Sequence, residues 1–327
     1  MKPQRRRFLQ SAATLTAGMA AVPCDPDLEA AQAAPAAPFR VSGDIQPPGA
    51  ELLPTLTLGR HRLTRLIVGS NPFHGFSHFN RLLNNHMSEW ATTERVTGIV
   101  ERCQQHGINT WQFSHHPRAM KDLAAHRAGG GRMQWILLSH REVEEDPKLL
   151  EGVAQLEPVG VVHHGGSAER KRREGQLHRV RDFLKAVRDS GVRVGLSMHD
   201  PKLLEQVESE GWDIDFYMTS LYYLTRSPDE FRKLLGTRPL GEIYLPEDPP
   251  RMFAAIRATK KTCLCYKVLA AGRLTDSNEQ IERAFRMVFD NVKPQDGMIV
   301  GMYPRYADQV RENADRVRRI LAVKTPA

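Results

Sequence analysis

Cysteine is scarce in this chain: four in 327 residues, too few for the disulfide scaffold of a small secreted domain. No apolar run reaches the roughly 18–20 residues that a membrane helix requires, which predicts a mature protein without stable membrane insertion. Neither sign of charge dominates. Lys and Arg total 46 against 38 Asp and Glu, a net charge of +8, which admits an anionic ligand without calling for nucleic acid. No G-x-G-x-x-G or G-x-x-x-x-G-K follows a strand-like segment, which removes the Rossmann and P-loop readings. H-E-x-x-H and similar fixed-spacing metal motifs are missing too. Hydrophobic residues make up 41% and charged residues 26%, the balance of a chain that folds around a core.

What is present begins with an address. QRRRFLQ at residues 4–10 precedes the mildly apolar SAATLTAGMAAV, and Ala31-Gln32-Ala33 supplies small residues for cleavage. A basic start, a short apolar stretch and such a site make an export signal over residues 1–33. Arg5-Arg6-Arg7-Phe8-Leu9 resembles the twin-arginine pattern, whose route carries proteins already folded. A periplasmic or extracellular location follows. Cys24 comes after Pro23, a poor match to a lipoprotein site. Residues 34–50, rich in Ala and Pro, read as a linker. The folded body is then residues 51–323, close to the about 250 residues of one (β/α)8 barrel.

TLTLGRHRLTRLIVG alternates around Gly59-Arg60 and predicts a hairpin leading into a buried strand. Beyond it, short apolar runs alternate with amphipathic stretches, the pattern of a parallel α/β fold. The strand candidates are 65–70, 109–114, 133–139, 159–163, 192–198, 215–221, 262–268 and 297–301, with a Pro-rich insertion at 223–250. Asp200-Pro201 predicts an N-cap, and Ser277 with Gln280 a capping box. Eight such units predict a TIM barrel with an N-terminal β-hairpin.

In such a barrel the chemistry sits at the C-terminal strand ends, and histidine crowds there. Of 13 histidines, seven lie at or just after the ends of the first five barrel strands: His74, His115, His116, His140, His163, His164 and His199. Converging imidazoles can bind a metal, shuttle protons or hydrogen-bond a polar substrate. Adjacent residues point opposite ways, so one of His163/His164 and one of His115/His116 are expected to serve packing. Cys263 and Cys265 share a strand face, and with Cys103 are expected in the core. The basic run from Ala168 to Arg173, with Arg179, Arg181 and Arg188, reads as a solvated helix face. Glu242, Glu247 and Asp248 fall in the insertion, which is placed to lid the site.

Five segments, in order, resemble the aldo/keto reductase superfamily over about residues 54–322. They are the opening hairpin and strand LTLGRHRLTRLIVGS, then GINTWQFS, VGLSMHDPKLLEQV, CYKVLAAGRL and MIVGMYPRYADQVRENADRV. The resemblance implies a barrel whose relatives reduce carbonyls with NADPH. It also implies departures. Gln112 stands where the family has its Asp, no Tyr accompanies His116 and Pro117, and His140 stands where the family has its Lys. His164 matches the fourth catalytic position. At the nicotinamide clamp Ser197 is kept, while Met198 and Thr219 replace the family's amides. Tyr266 matches the ring that stacks on nicotinamide, and Arg305, Glu312 and Asn313 match the adenosine end.

Three functions follow as expectations. The first is an exported enzyme doing metal-assisted or acid–base non-redox chemistry on a sugar-like carbonyl compound, as epimerase, isomerase, lyase or hydrolase. His140, His164 and His199 would bind a divalent metal or act as acid and base, Gln112 and Lys267 would join the catalysis, and Asn71, His74 and Tyr266 would hold the substrate. The second is an oxidoreductase with tightly bound NAD(P), since a dissociating cofactor could not be recycled outside the cytoplasm. The third is a binding barrel that has lost its chemistry.

Overall fold

Leu56, Leu58 and Leu63 are buried while Thr57, Gly59 and Arg62 are exposed, and this alternation folds as β1 (Thr55–Leu58) and β2 (His61–Thr64), antiparallel with Thr55 opposite Thr64. Gly59 takes φ +59° at the first position of the two-residue loop, a conformation glycine adopts without a Cβ penalty. A computed structural model describes residues 51–322; the export signal at 1–33 and the linker at 34–50 lie outside the described residues.

Eight parallel strands follow and close on themselves: β3 (Leu66–Gly69), β4 (Thr110–Ser114), β5 (Gln134–Leu138), β6 (Gly160–His163), β7 (Arg193–Met198), β8 (Phe216–Ser220), β9 (Thr262–Tyr266) and β10 (Gly297–Gly301). Helices alternate with them, so the fold is the expected TIM barrel behind an N-terminal hairpin. Each strand lies within two residues of its expected bounds. β9 stops at Tyr266 because Lys267 turns to φ +59°.

Period-two register sorts the side chains. Ile136 pairs with Gln112, Val162 with Gly195, Met218 with Ser197 and Leu264 with Gly297. These positions face the barrel interior, where Ile67, Ile136, Val162, Phe216, Leu264 and Ile299 form one core with the hairpin leucines beneath them. Phe216 fits because Gly160 and Gly195 leave room: a Cβ at either would stand 2.6 or 2.8 Å from its ring. Between these positions the strands point outward into the helical layer. Trp111 packs there beside Phe113, with ring centroids 4.7 Å apart and the planes tilted by 54°. Cys103, Cys263 and Cys265 are buried and free, as packing required.

The insertion is not all loop. Ser227 and Glu230 form a reciprocal capping box that starts a helix over Pro228–Leu235. Asp200 caps the helix Pro201–Ser209 as expected. At Ser277 half of the expected box forms: the hydroxyl accepts from Gln280 N, but the Gln280 side chain accepts from Asp276 N. No helix of the described residues is long and apolar enough to cross a membrane.

Candidate active site

The barrel mouth has two halves. On the side of β5, β6 and β7 stand the histidines. His140 occupies the N-cap of the helix Arg141–Glu145 with no side-chain cap bond, and its ring centroid lies 5.4 Å from that of His164. His164 caps the helix Gly165–Arg173, its Nδ1 accepting from Ser167 N at 3.3 Å. That bond leaves the proton on Nε2. Burial pushes His164 down to about 4, with His140 and His199 adding to the effect, so its imidazole is a neutral donor at neutral pH.

His199 follows β7. Its Nδ1 donates to Glu169 Oε2 at 3.3 Å, and its Nε2 accepts from the Tyr266 hydroxyl at 3.2 Å; these roles follow from the carboxylate, which can only accept. Glu169 is the anchor. It also accepts from His199 N at 2.5 Å, Asp200 N at 2.7 Å and the Thr225 hydroxyl at 2.5 Å. Burial works to raise this carboxyl, but the hydrogen bonds it accepts, that of His199 foremost, outweigh it and hold the group below its ordinary range. The Tyr266 phenol accepts from Ser197 at 3.1 Å, and burial pushes its ionisation up. The result is a carboxylate–imidazole–phenol chain. The sequence reading missed Glu169; its one signal is an acid inside a basic run.

The other half is a cleft of about 610 Å³ at the ends of β3, β9 and β10, and Asn71, Gln112, Tyr266, Lys267, Glu312 and Asn313 line it. Tyr266 therefore belongs to both halves, its ring on the cleft and its hydroxyl on His199. The insertion reaches over through Glu242, which accepts from His78 Nδ1 at 2.8 Å and from the Tyr244 hydroxyl at 2.7 Å. His78 Nε2 accepts in turn from Asn71 Nδ2 at 3.0 Å. Burial would raise Glu242, yet His78 and Lys267 draw it down to about 2.

Several expected residues stand elsewhere. His74 does not line the cleft: it is buried with its Nε2 3.1 Å from Asp122 Oδ2, because the short helical turn after β3 carries its ring outward onto His116. Met198 and Thr219 sit on outward positions of β7 and β8, and the Thr219 hydroxyl donates to Cys265 Sγ. Ser197 points inward but is turned to Tyr266. Arg305 faces His86 at 3.1 Å and stacks on Tyr306. Asp248 is a strut under the insertion, accepting from Arg226 and from Tyr223 N. Glu247 is exposed at the N-cap of the helix Asp248–Ala258, with no side-chain cap bond. Of the histidine pairs, His163 is buried behind β6 against Phe183 and Glu144, and His116 caps the helix Pro117–Ala128. In the basic run Lys171 pairs with Glu144 and Arg172 with Asp200, while Arg173, Arg179 and Arg181 are exposed, as a solvated face would be.

Two implied groups can be tested against these positions. Among the described residues no three His, Cys, Asp or Glu side chains are arranged to hold a metal ion. The expected set of His140, His164 and His199 is not assembled as one: His164 Nδ1 is spent on its helix, and both nitrogens of His199 are taken. A nicotinamide dinucleotide also fits poorly. The cleft has a suitable ring in Tyr266, but its lining offers one Lys or Arg, Lys267, beside Asp276 and Glu312. Asn313 Oδ1 is engaged by Arg316 at 2.6 Å.

No protein-family model matches the sequence, and no curated protein matches it. Solved structures are similar in fold. The apo form of Gox0644 is 10% identical with a TM-score of 0.51, over 83% of this chain and 94% of that one. Glycerol dehydrogenase AKR11B4 from Gluconobacter oxydans, an aldo/keto reductase, is 15% identical with a TM-score of 0.49, over 84% and 97%. A truncated 3-deoxy-D-arabino-heptulosonate 7-phosphate synthase from Thermotoga maritima is 11% identical with a TM-score of 0.49, over 83% and 92%. At such identities the likeness is one of architecture, a barrel that serves enzymes of unlike chemistry.

Proposed function

We propose that this protein is an enzyme of proton transfer, an epimerase or isomerase acting on a small sugar-like carbonyl compound bound at the barrel mouth. The observation that carries the reading is Tyr266: its ring lines the cleft while its hydroxyl closes the Glu169–His199 chain. In this scheme Gln112 and Asn71 hydrogen-bond the substrate in the cleft. His164 donates Nε2–H to the carbonyl oxygen as it gains charge, and His140 removes the neighbouring carbon-bound proton. Tyr266 and His199 exchange the hydroxyl proton with Glu169 supporting the charge on the imidazole. The resemblance to aldo/keto reductases supports a carbonyl compound as substrate. The twin-arginine-like start at Arg5 to Leu9 supports work outside the cytoplasm.

The test is incubation of the signal-free protein with a panel of aldoses and ketoses in heavy water, followed by proton NMR. Deuterium should enter beside the carbonyl, and both His140→Asn and Tyr266→Phe should abolish it. Uptake that survives both substitutions would sink the mechanism. Release of stoichiometric nicotinamide nucleotide on denaturation would replace it with a redox one.

A further inference from the structure

We propose that Lys267 is a covalent anchor whose Nζ forms an imine with the carbonyl carbon of a small polyhydroxy aldehyde or ketone held in the cleft. The proposal takes its substrate class from the proton-transfer reading, but none of its geometry. Lys267 is the first residue beyond β9, and the chain turns there at φ +59°, a region that costs a side-chain-bearing residue conformational energy. The turn places the side chain under the insertion, 7% exposed, on the cleft wall.

There its Nζ is buried with no hydrogen-bond partner. The one carboxylate near it, Glu242, stands 3.9 Å away with its own oxygens engaged by His78 and Tyr244. The Tyr244 ring lies 6.0 Å off, and Arg273 stacks on that same ring at 4.3 Å. An ammonium so placed leaves its donors unsatisfied, whereas a neutral amine keeps a free lone pair. Burial lowers Lys267 to about 8, Glu242 opposing and Arg273 assisting. At pH 8 the neutral fraction is therefore about 100-fold that of an ordinary lysine.

In the step, the Nζ lone pair attacks the carbonyl carbon and the C=O pair moves to oxygen. The added nitrogen passes a proton to that oxygen, giving the carbinolamine. With one more proton from solvent the oxygen leaves as water, and a C=N bond forms with its positive charge facing Glu242.

The experiment uses glycolaldehyde as the probe on the signal-free protein at pH 8, with borohydride reduction, digestion and mass spectrometry. The Lys267 peptide should gain the probe less one oxygen, about 100-fold above the mean of the other lysines, with a labelling midpoint near pH 8. In Glu242→Gln the midpoint should fall, because the carboxylate that retains the ammonium proton is gone. Labelling of Lys267 no faster than that of surface lysines overturns the anchor, as does an unmoved midpoint. The two readings fail separately: Tyr266-dependent deuterium uptake without Lys267 labelling leaves proton transfer standing, and labelling without uptake leaves the anchor.

Discussion

The two halves of the barrel mouth are built in opposite ways. In the histidine half the anchoring groups are well partnered: Glu169 accepts four bonds, His164 caps its helix through Nδ1, and His163 is held by Glu144 and His164 O. In the cleft half partners run short and the backbone is bent. Of five non-glycine residues with positive φ among those described, His78, Lys267 and Ala271 line the cleft, and Lys267 Nζ is buried alone. A satisfied network fixes geometry, while strain and unmet donors sit where something else is to be bound. In the proposed mechanism one half orients protons and the other captures ligand.

The strongest way to break it is Glu169→Ala. If the histidine half is an interlocked network, the change strips acceptors from two backbone amides, Thr225 and His199 at once. The expected cost is about 4 kcal/mol, on the scale of several hydrogen bonds to one charged acceptor and the donors left unsatisfied, read by urea unfolding. A cost below about 1 kcal/mol, no more than an ordinary single hydrogen bond, would mean that the network is not what holds this half. The second test separates the halves by pH. His164 is lowered to about 4 from 6.5, so between those values the unfolded chain binds the proton and the folded one does not. Stability falls as pH drops through that window, at about 1.4 kcal/mol per unit for one proton. His164→Asn should reduce the slope by that one proton's share and leave the share of His163, which burial also lowers to about 4. Lys267 is lowered to about 8 from 10.5, so its cost is present below 8 and relieved as pH rises above it. Lys267→Met should flatten the rise above pH 8 and leave the slope between pH 4.5 and 6.5 alone, its one acid effect falling lower, through Glu242.

Most of the barrel was legible because strand and helix periods are local. The same rule that put Trp111 outside and Gln112 inside correctly warned that His163 and His164 must part company. What the sequence hid is long-range. Glu169 reaches His199 across 30 positions, and Glu242 reaches His78 across 164. No periodicity joins such residues, and a lone acid among arginines reads as surface charge. Two of the family-matched positions stand outside the cleft for a related reason. Met198 and Thr219 match in order along the chain but fall on outward positions of their strands, since a one-residue displacement on a strand reverses the side chain.

Tyr266→Phe is a gentler probe because it deletes only the atom shared by the two halves. Its hydroxyl donates to His199 and accepts from Ser197, so stability should fall by about 1 kcal/mol. Deuterium uptake should vanish while Lys267 labelling persists. If labelling is lost as well, the halves are one site and not two.

The smallest effect is expected at Arg305, which the family resemblance places at the adenosine end of a cofactor. Its guanidinium stacks on Tyr306, itself 65% exposed, and contacts His86 outside the cleft lining. Nothing buried depends on it, so Arg305→Ala should change unfolding free energy by less than about 0.5 kcal/mol, the range of ordinary surface substitutions. Glycolaldehyde labelling of Lys267 should keep its rate and its midpoint, since Arg273, and not Arg305, is the arginine beside that amine. A weakened affinity for added NADH or NADPH in this variant would reverse the assignment. It would mean that the cleft extends past Glu312 to a phosphate held by Arg305, and that ligand capture in this half was shaped for a nucleotide.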